Sequence, residues 1–234
     1  MSLTFGVNIK PRMTAVSYSR LSAYEKCPAQ AKYKFVDRLP EPDSPHLERG
    51  KNIHTMCEDF LKDPEPILHE EIAAVSDFLS WIRDNSDHTL ETEMQVAFNK
   101  DWGLTDWFSP DVLLRVVYDA LCISSDDPNR IMIVDHKTGK VYDAHQDQMS
   151  LYALAALHQF PDAEVVDVRM LYVDQAAMTD ELLFTRDDLD RLHENWDPRI
   201  ARATADEIFS PNPSSFNCNW CTFAKSKGGP CNHG

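Results

Sequence analysis

Apolar positions along this chain change rhythm twice. In the first third they recur every three or four residues. Residues 47–61 place Ile53, Met56, Cys57, Phe60 and Leu61 on one side, and residues 67–84 do the same with Ile72, Val75, Phe78, Leu79 and Ile82. Both stretches predict amphipathic helices. Upstream, Ser17 or Ser19 can cap a helix running through Leu21 and Tyr24 towards Cys27, Pro28 breaks or restarts it, and 31–36 continue it. Three prolines between 38 and 45 mark a loop. From 91 to 98 the rhythm switches to two, with Met94, Val96 and Phe98 alternating against Glu93, Gln95 and Ala97, the pattern of a half-buried strand. Residues 112–123 and the wholly apolar 131–134 predict a second and a third strand, the third central to a sheet. A helix over 143–158, a fourth strand over 165–172 and a last helix over 186–208, disturbed at Pro198, complete the elements. The tail from Pro211 is too rich in Pro, Asn, Ser and Gly to be regular. The order, helices then three strands, helix, strand and helix, predicts an α/β fold with a mixed sheet and helical layers.

Length and composition narrow the class. At 234 residues and 43% hydrophobic content, one soluble globular domain is expected. No apolar run approaches the roughly 18–20 residues of a membrane helix, and the opening Met-Ser-Leu-Thr-Phe-Gly-Val-Asn lacks the regions of a signal peptide. No membrane partner is expected, and an intracellular location is. In a reducing compartment six cysteines point to metal ligands or buried thiols rather than disulfides. The net charge of −15 argues against coating a nucleic acid. The charge is uneven, however. Residues 1–51 carry nine Lys/Arg against five Asp/Glu, and the remainder carries fourteen against thirty-three.

The candidate chemistry centres on Val-Asp-His-Lys-Thr-Gly-Lys (134–140), with Asp119 sixteen residues before Asp135. Asp119 and Asp135 fall at or near the ends of adjacent predicted strands, which lie roughly 5 Å apart, so both carboxylates can share one cation. Magnesium takes oxygen ligands and retains several waters. Lys137, two residues beyond Asp135, projects to the same face of a strand and can orient an attacking water or stabilise developing charge. His136 points the other way and offers its backbone carbonyl to the metal. A Lewis acid, an activated water and a positive group are the parts of metal-assisted hydrolysis.

With Gln148-x3-Tyr152 on the following helix, these residues resemble the motifs of the PD-(D/E)XK nuclease superfamily. More narrowly, they resemble its RecB-type exonuclease branch, which includes nucleases of CRISPR spacer acquisition and stand-alone phage exonucleases. The resemblance runs from Ser17 to Cys231. It implies a restriction-endonuclease-like central mixed sheet with flanking helices and a C-terminal iron–sulfur tail. One nuclease domain over 1–234 would then comprise a helical part (1–88), a core (89–175) and a helix with a cysteine tail (176–234). It implies His54 as a further metal ligand beside Asp119 and Asp135, Lys137 as catalytic, and Gln148 and Tyr152 as residues that contact the DNA backbone or order the site. Glu93 matches a site-lining acid of some members, with Glu91 as its substitute. Two departures exist: Val116 stands where relatives often carry Gly, and the acid of the acid-x-Lys motif is Asp.

Cys218-x2-Cys221-x9-Cys231 closes the chain, and Cys27 lies far upstream. Such spacing suits zinc or an iron–sulfur cluster, with Cys27 or His233 as fourth ligand. One upstream and three C-terminal cysteines is the layout of iron–sulfur members of this branch, which implies a structural [4Fe–4S] cluster on Cys27, Cys218, Cys221 and Cys231. Cys57 and Cys122 lie on apolar faces and read as buried thiols. The expected activity is a Mg²⁺- or Mn²⁺-dependent exonuclease on single-stranded DNA or duplex ends, 5′→3′ by family analogy. It would act in recombination, repair or CRISPR adaptation, in a bacterial or phage-infected cytoplasm, with a separate helicase, recombinase or adaptation partner. Tyr18, Tyr24, Tyr33 and Phe35 interleave with Arg20, Lys26, Lys32 and Lys34 and could stack and steer a single strand. The alternatives are a weakly catalytic DNA- or partner-binding module of the same fold, or a zinc-stabilised nucleic-acid-binding protein.

Overall fold

A computed structural model describes residues 12–86, 89–142 and 144–234. In chain order its regular elements begin with α1 (Tyr18–Lys26) and α2 (Pro28–Ala31), the latter running into a π-helical turn at Lys32–Val36. Next come α3 (Pro45–Lys62), a 3₁₀ segment Glu70–Val75, α4 (Ser76–Asp84), and strands β1 (Glu91–Phe98), β2 (Leu104–Thr105), β3 (Leu114–Ile123) and β4 (Arg130–Lys137). Then follow α5 (Ala144–Gln159), β5 (Val165–Tyr172), β6 (Ala177–Met178), β7 (Leu182–Thr185), α6 (Leu189–Ala205) and α7 (Ser215–Trp220). No helix among the described residues is long and apolar enough to cross a membrane.

Several expectations are corrected at their edges. The helix expected from 67 begins at Glu70, and its first six residues are 3₁₀. Ile72 and Val75, three apart and both fully buried, suit a repeat of three residues per turn. The third strand extends beyond 134 to Lys137, so the whole Asp-His-Lys run is strand. Asp119 likewise lies inside β3 rather than at its end. The last helix becomes α-helical at Leu189 and ends at Ala205, with Pro198 accommodated inside it. The tail expected to be irregular contains α7, whose N-cap Ser214 accepts from the Asn217 backbone N–H at 3.0 Å. Residue 143, the expected start of α5, lies outside the described residues.

The chain divides into two compact units: Asp43–Asp197, and the segments on either side of it. The sheet lies in the first, in the order β2-β1-β3-β4-β5-β6, with β7 also paired to β5. Neighbours are antiparallel except β4 and β5, which are parallel and joined by the crossover helix α5, as parallel strands require. Helix α3 opens with Ser44 as N-cap and Pro45 in its first turn, where a missing N–H costs nothing. Its apolar face (Ile53, Cys57, Phe60, Leu61) packs with Ile72, Val75, Leu79 and Ile82 against Ala120, Cys122, Met132 and Val134 of β3 and β4. The middle of α5 is apolar nearly all round: Leu151, Ala153, Leu154, Ala155, Ala156 and Leu157 are all buried, as befits a helix segment sunk in a core. On β4, alternation carries Met132 and Val134 to the α3 face and Asp135 and Lys137 to the α5 face. On β3 the alternation breaks. Ala120 faces α3, but Tyr118, two residues earlier, meets Tyr152 of α5. The break falls at Asp119.

The regular elements of the second unit are helical among its described residues. Tyr24 of α1 is buried, donates its hydroxyl to Asp206 Oδ2 at 2.8 Å and meets Phe209 edge-on. Tyr33 packs on Phe223, with ring centroids 5.6 Å apart. Two of the four N-terminal aromatics that the sequence offers for base stacking are therefore engaged in packing.

Candidate functional site

Register sets three acids at matching positions on three adjacent strands. The β1–β3 ladder pairs Thr92 with Ala120 and Met94 with Tyr118, passing over Glu93 and Asp119 between them. The β3–β4 ladder ends at Ala120↔Val134, so Asp119 and Asp135 are the next residue on either strand. Pairing is interrupted on both sides of Asp119. At the interruption Glu93 takes a positive φ of 50°, a strained conformation for a residue other than glycine. Strain of this kind persists where the surroundings over-determine it, and it gathers at functional sites.

Asp119 is 8% exposed and Asp135 2%. Asp119 Oδ2 accepts the His136 backbone N–H at 2.6 Å, and its Oδ1 lies 3.4 Å from His54 Nδ1 on α3. Burial works to raise the Asp119 carboxyl, but the His54 contact and His136 outweigh it and hold it below the usual carboxylate range. Burial likewise works against a charge on His54, and its contact with Asp119 reverses that, so His54 titrates above its ordinary value. The His136 ring is sealed in, and burial pushes its pKa down to about 4. It is a neutral imidazole at neutral pH. Its Nε2 is buried without a hydrogen-bond partner. From the sequence, His136 has only a backbone carbonyl to offer. Its ring does point to the face opposite Asp135, but that is the α3 face, where it meets His54 edge-on with ring centroids 5.9 Å apart. Among the described residues, His54, Asp119 and His136 are the one group of three whose potential ligand atoms all lie within 4.8 Å of one another.

The second half of the site surrounds Asp135. Its Oδ2 is paired with the Lys137 ammonium. Gln148 Nε2 donates to Asp135 Oδ1 at 3.0 Å and to the Tyr152 hydroxyl at 2.7 Å. Gln148 and Tyr152, one turn apart on α5, share a helix face. The Tyr152 and Tyr118 rings meet with centroids 5.5 Å apart. Burial raises the Asp135 carboxyl despite the Lys137 charge, and Asp119 adds to the effect. A third buried acid shows the contrast. Asp167, 1% exposed, is clasped by Arg130 at 2.5 Å and Arg169 at 2.8 Å. The pair at positions 119 and 135 has two imidazoles and one amine instead, and so has room for more positive charge. Desolvated carboxylates without full compensation are costly; a bound divalent cation relieves that cost.

Glu93 and His54 line a groove with Leu47, Gly50 and Thr138, whereas Asp119, Asp135 and Lys137 are not among its lining residues. Burial and the nearby Asp119 raise the Glu93 carboxyl. Glu91, the substitute for it, is exposed at the start of β1. Other residues had no signal in the sequence. Arg49 of α3 clamps Asp174 through both carboxylate oxygens, at 2.6 and 3.2 Å, and Asp174 Oδ2 accepts the Gly139 N–H at 2.6 Å. This pins the turn after Lys137. Tyr172 pairs in register with Lys137, and its hydroxyl is 2.9 Å from His145 Nδ1.

In the other unit, Cys27, Cys218, Cys221 and Cys231 line a single cavity together with Tyr33, Asn212 and His233. None of the four is in a disulfide. The Asn212 N–H donates to Cys27 Sγ at 3.4 Å, and burial raises the Cys221 thiol, with the other three cysteines adding to it. The four thiols line one cavity that no carboxylate lines, a soft donor set of the kind that iron–sulfur clusters and zinc take, although no three of them lie within 4.8 Å of one another. Cys57 and Cys122 are buried in the α3 face of the sheet, and burial pushes both thiols up to about 12.

The chain matches the family model of the PD-(D/E)XK nuclease superfamily over residues 15–226. Among solved structures, a protein named "Putative exonuclease" from Eubacterium rectale matches with a TM-score of 0.51 and 15% identity, over 97% of this chain and 93% of its own. The structure of SSO0001 matches with a TM-score of 0.41 and 14% identity, over 93% of this chain and 87% of that one. At these identities the first likeness speaks for the fold alone, and the second is too distant to carry an argument.

Proposed function

Since the chain belongs to the PD-(D/E)XK nuclease superfamily, we propose that it is a Mg²⁺- or Mn²⁺-dependent deoxyribonuclease that degrades DNA from ends, 5′→3′, with a structural [4Fe–4S] cluster. The observation that carries this reading is the alignment of Glu93, Asp119 and Asp135 across three adjacent strands where the ladder is interrupted, with Lys137 paired to the last of them.

In this reading His54, Asp119, Asp135 and the His136 ring or carbonyl would hold the catalytic cation. A divalent cation supplies Lewis-acid polarisation of a phosphoryl oxygen and lowers the pKa of a bound water. Lys137 keeps a fixed positive group beside Asp135, aimed at charge that develops on the phosphoryl group, and its N–H bonds orient the attacking water. Such preorganised donors act with little reorganisation in a dry site. Gln148 is a positioning residue: it fixes Asp135 Oδ1 and ties it to Tyr152. Glu93, a lining residue of the groove, takes up a proton more readily than an ordinary glutamate. It lines the path by which the strand enters.

Cys27, Cys218, Cys221 and Cys231 would hold the cluster as a staple. The layout of one upstream and three C-terminal cysteines favours the cluster over zinc. It would close a loop of most of the chain and so restrict the unfolded state. A separate helicase, recombinase or adaptation protein would supply DNA ends in the cytoplasm of a bacterial or phage-infected cell. The test is cleavage of single-stranded and duplex DNA, labelled at either end, with Mg²⁺ or Mn²⁺. The proposal expects progressive shortening that begins at the 5′ end. Internal cuts in a closed circle without end-dependent products would overturn the exonuclease reading.

A further inference from the structure

Large apolar side chains are exposed singly, as at Leu104 and Phe108, or as sequence neighbours, as at Ile67–Leu68, Val141–Tyr142 and Leu182–Leu183. Helix α7 is different. Phe216 is 73% exposed and Trp220 75%, four residues apart and so on one face of a single turn. The helix that presents them is pinned at both ends. Ser214 caps its start, the Asn217 side chain donates to Lys26 O at 3.1 Å and Asn212 O at 3.0 Å, and Lys227 Nζ donates to Asn219 O at 2.7 Å. Lys26 Nζ sits over the Phe216 ring, 5.6 Å from its centroid. A rigid backbone thus carries two exposed rings flanked by ammonium groups.

Charge says what these rings face. The unit that contains α7 holds eleven Lys/Arg against five Asp/Glu, whereas Asp43–Asp197 holds twelve against thirty-three. The net charge of −15 therefore conceals a basic unit. The cores of protein–protein contacts are poor in lysine. Rings interleaved with lysines are the composition of single-strand binding surfaces, where bases stack and cations follow the phosphates. A duplex keeps its base faces covered, so only an unpaired strand can use both rings.

We propose that Phe216 and Trp220 form a stacking platform for two successive bases of single-stranded DNA, with Lys26 and Lys227 set to meet the phosphates. The proposal rests on the nuclease reading for its class of ligand and fixes the unpaired strand as what the protein grips. The test is fluorescence anisotropy of a labelled dT oligonucleotide titrated with the purified full-length protein, without divalent cation, so that binding is read apart from cleavage. Phe216→Ala and Trp220→Ala should each weaken Kd about 5- to 150-fold, the range of base–aromatic stacking. Trp220→Phe, which keeps a ring, should bind within about 3-fold of the parent. Iron content and melting temperature should match the parent in all three, since both side chains are exposed. Alanine variants that bind like the parent would overturn the proposal, as would a parent that fails to bind dT or binds blunt duplex more tightly. If no cleavage is found but the ring dependence holds, the nuclease reading fails and the platform stands.

Discussion

The acid site and the cysteine cavity are both collections of potential metal ligands, yet the fold prepares them differently. Asp119 and Asp135 sit within neighbouring strands of a sheet, and each is already oriented by a partner: a backbone N–H for one, Gln148 for the other. The thiols sit in turns and a six-residue helix, drawn together from the end of α1 and the tail, with an N–H···S bond to Cys27. Buried apolar area of the sheet holds the first arrangement in place. On the cluster reading, the second would depend on the group that the thiols hold. Loss of a ligand should therefore damage chemistry at the first site and structure at the second.

The sharpest way to break that comparison is at the acids. Asp119→Asn and Asp135→Asn should each lower cleavage on the order of 10³-fold, as removal of a preorganised charge does, while iron content stays at the parent level. Lys137→Ala should fall in a range of about 10²- to 10³-fold. Single-turnover rates with parallel iron assays check both, and a variant that loses iron together with activity would merge the two sites. At the other region, Cys218→Ala should remove iron and lower stability by about 2–5 kcal/mol, the scale of losing a covalent staple in a small unit, as read by iron content and thermal melting.

Local pattern makes one side of this contrast legible in the sequence and hides the other. Period-two alternation reveals β1, and the apolar run before Asp135 reveals β4, because burial writes itself into neighbouring positions. The Asp-x-Lys spacing places two side chains on one face for the same reason. The short β2, β6 and β7 leave no pattern, being two to four residues long. Nor can the sequence show that α3 lies on the face to which His136 points, or that Glu93 turns to positive φ opposite Asp119. Both depend on how strands and helix pack, as does the Arg49–Asp174 clamp, whose partners are 125 residues apart. Trp220 reads in the sequence only as a neighbour of the cysteines. Its place on a capped helix is a property of the folded tail.

Smaller effects sharpen the comparison further. Gln148→Ala leaves every proposed ligand in place but frees Asp135 Oδ1, and should cost about 10- to 100-fold in metal affinity or rate; Mn²⁺ titration of the cleavage rate separates the two. Smallest of all is thiol chemistry. Cys57 and Cys122 are buried, with thiols pushed up to about 12, so at about pH 8 almost none is thiolate. Mass mapping after alkylation should find both unmodified in the native protein and labelled only after denaturation. In cluster-free protein, Cys27, Cys218 and Cys231, which are partly exposed, should react first.

The most direct measurement compares single-turnover degradation of end-labelled DNA by the parent and by Asp135→Asn, at saturating Mn²⁺ and matched iron content. The expected result is progressive shortening by the parent and essentially none by the variant, with equal oligonucleotide affinity in the absence of metal. Equal rates for the two proteins would contradict the assignment of the acids to phosphodiester hydrolysis.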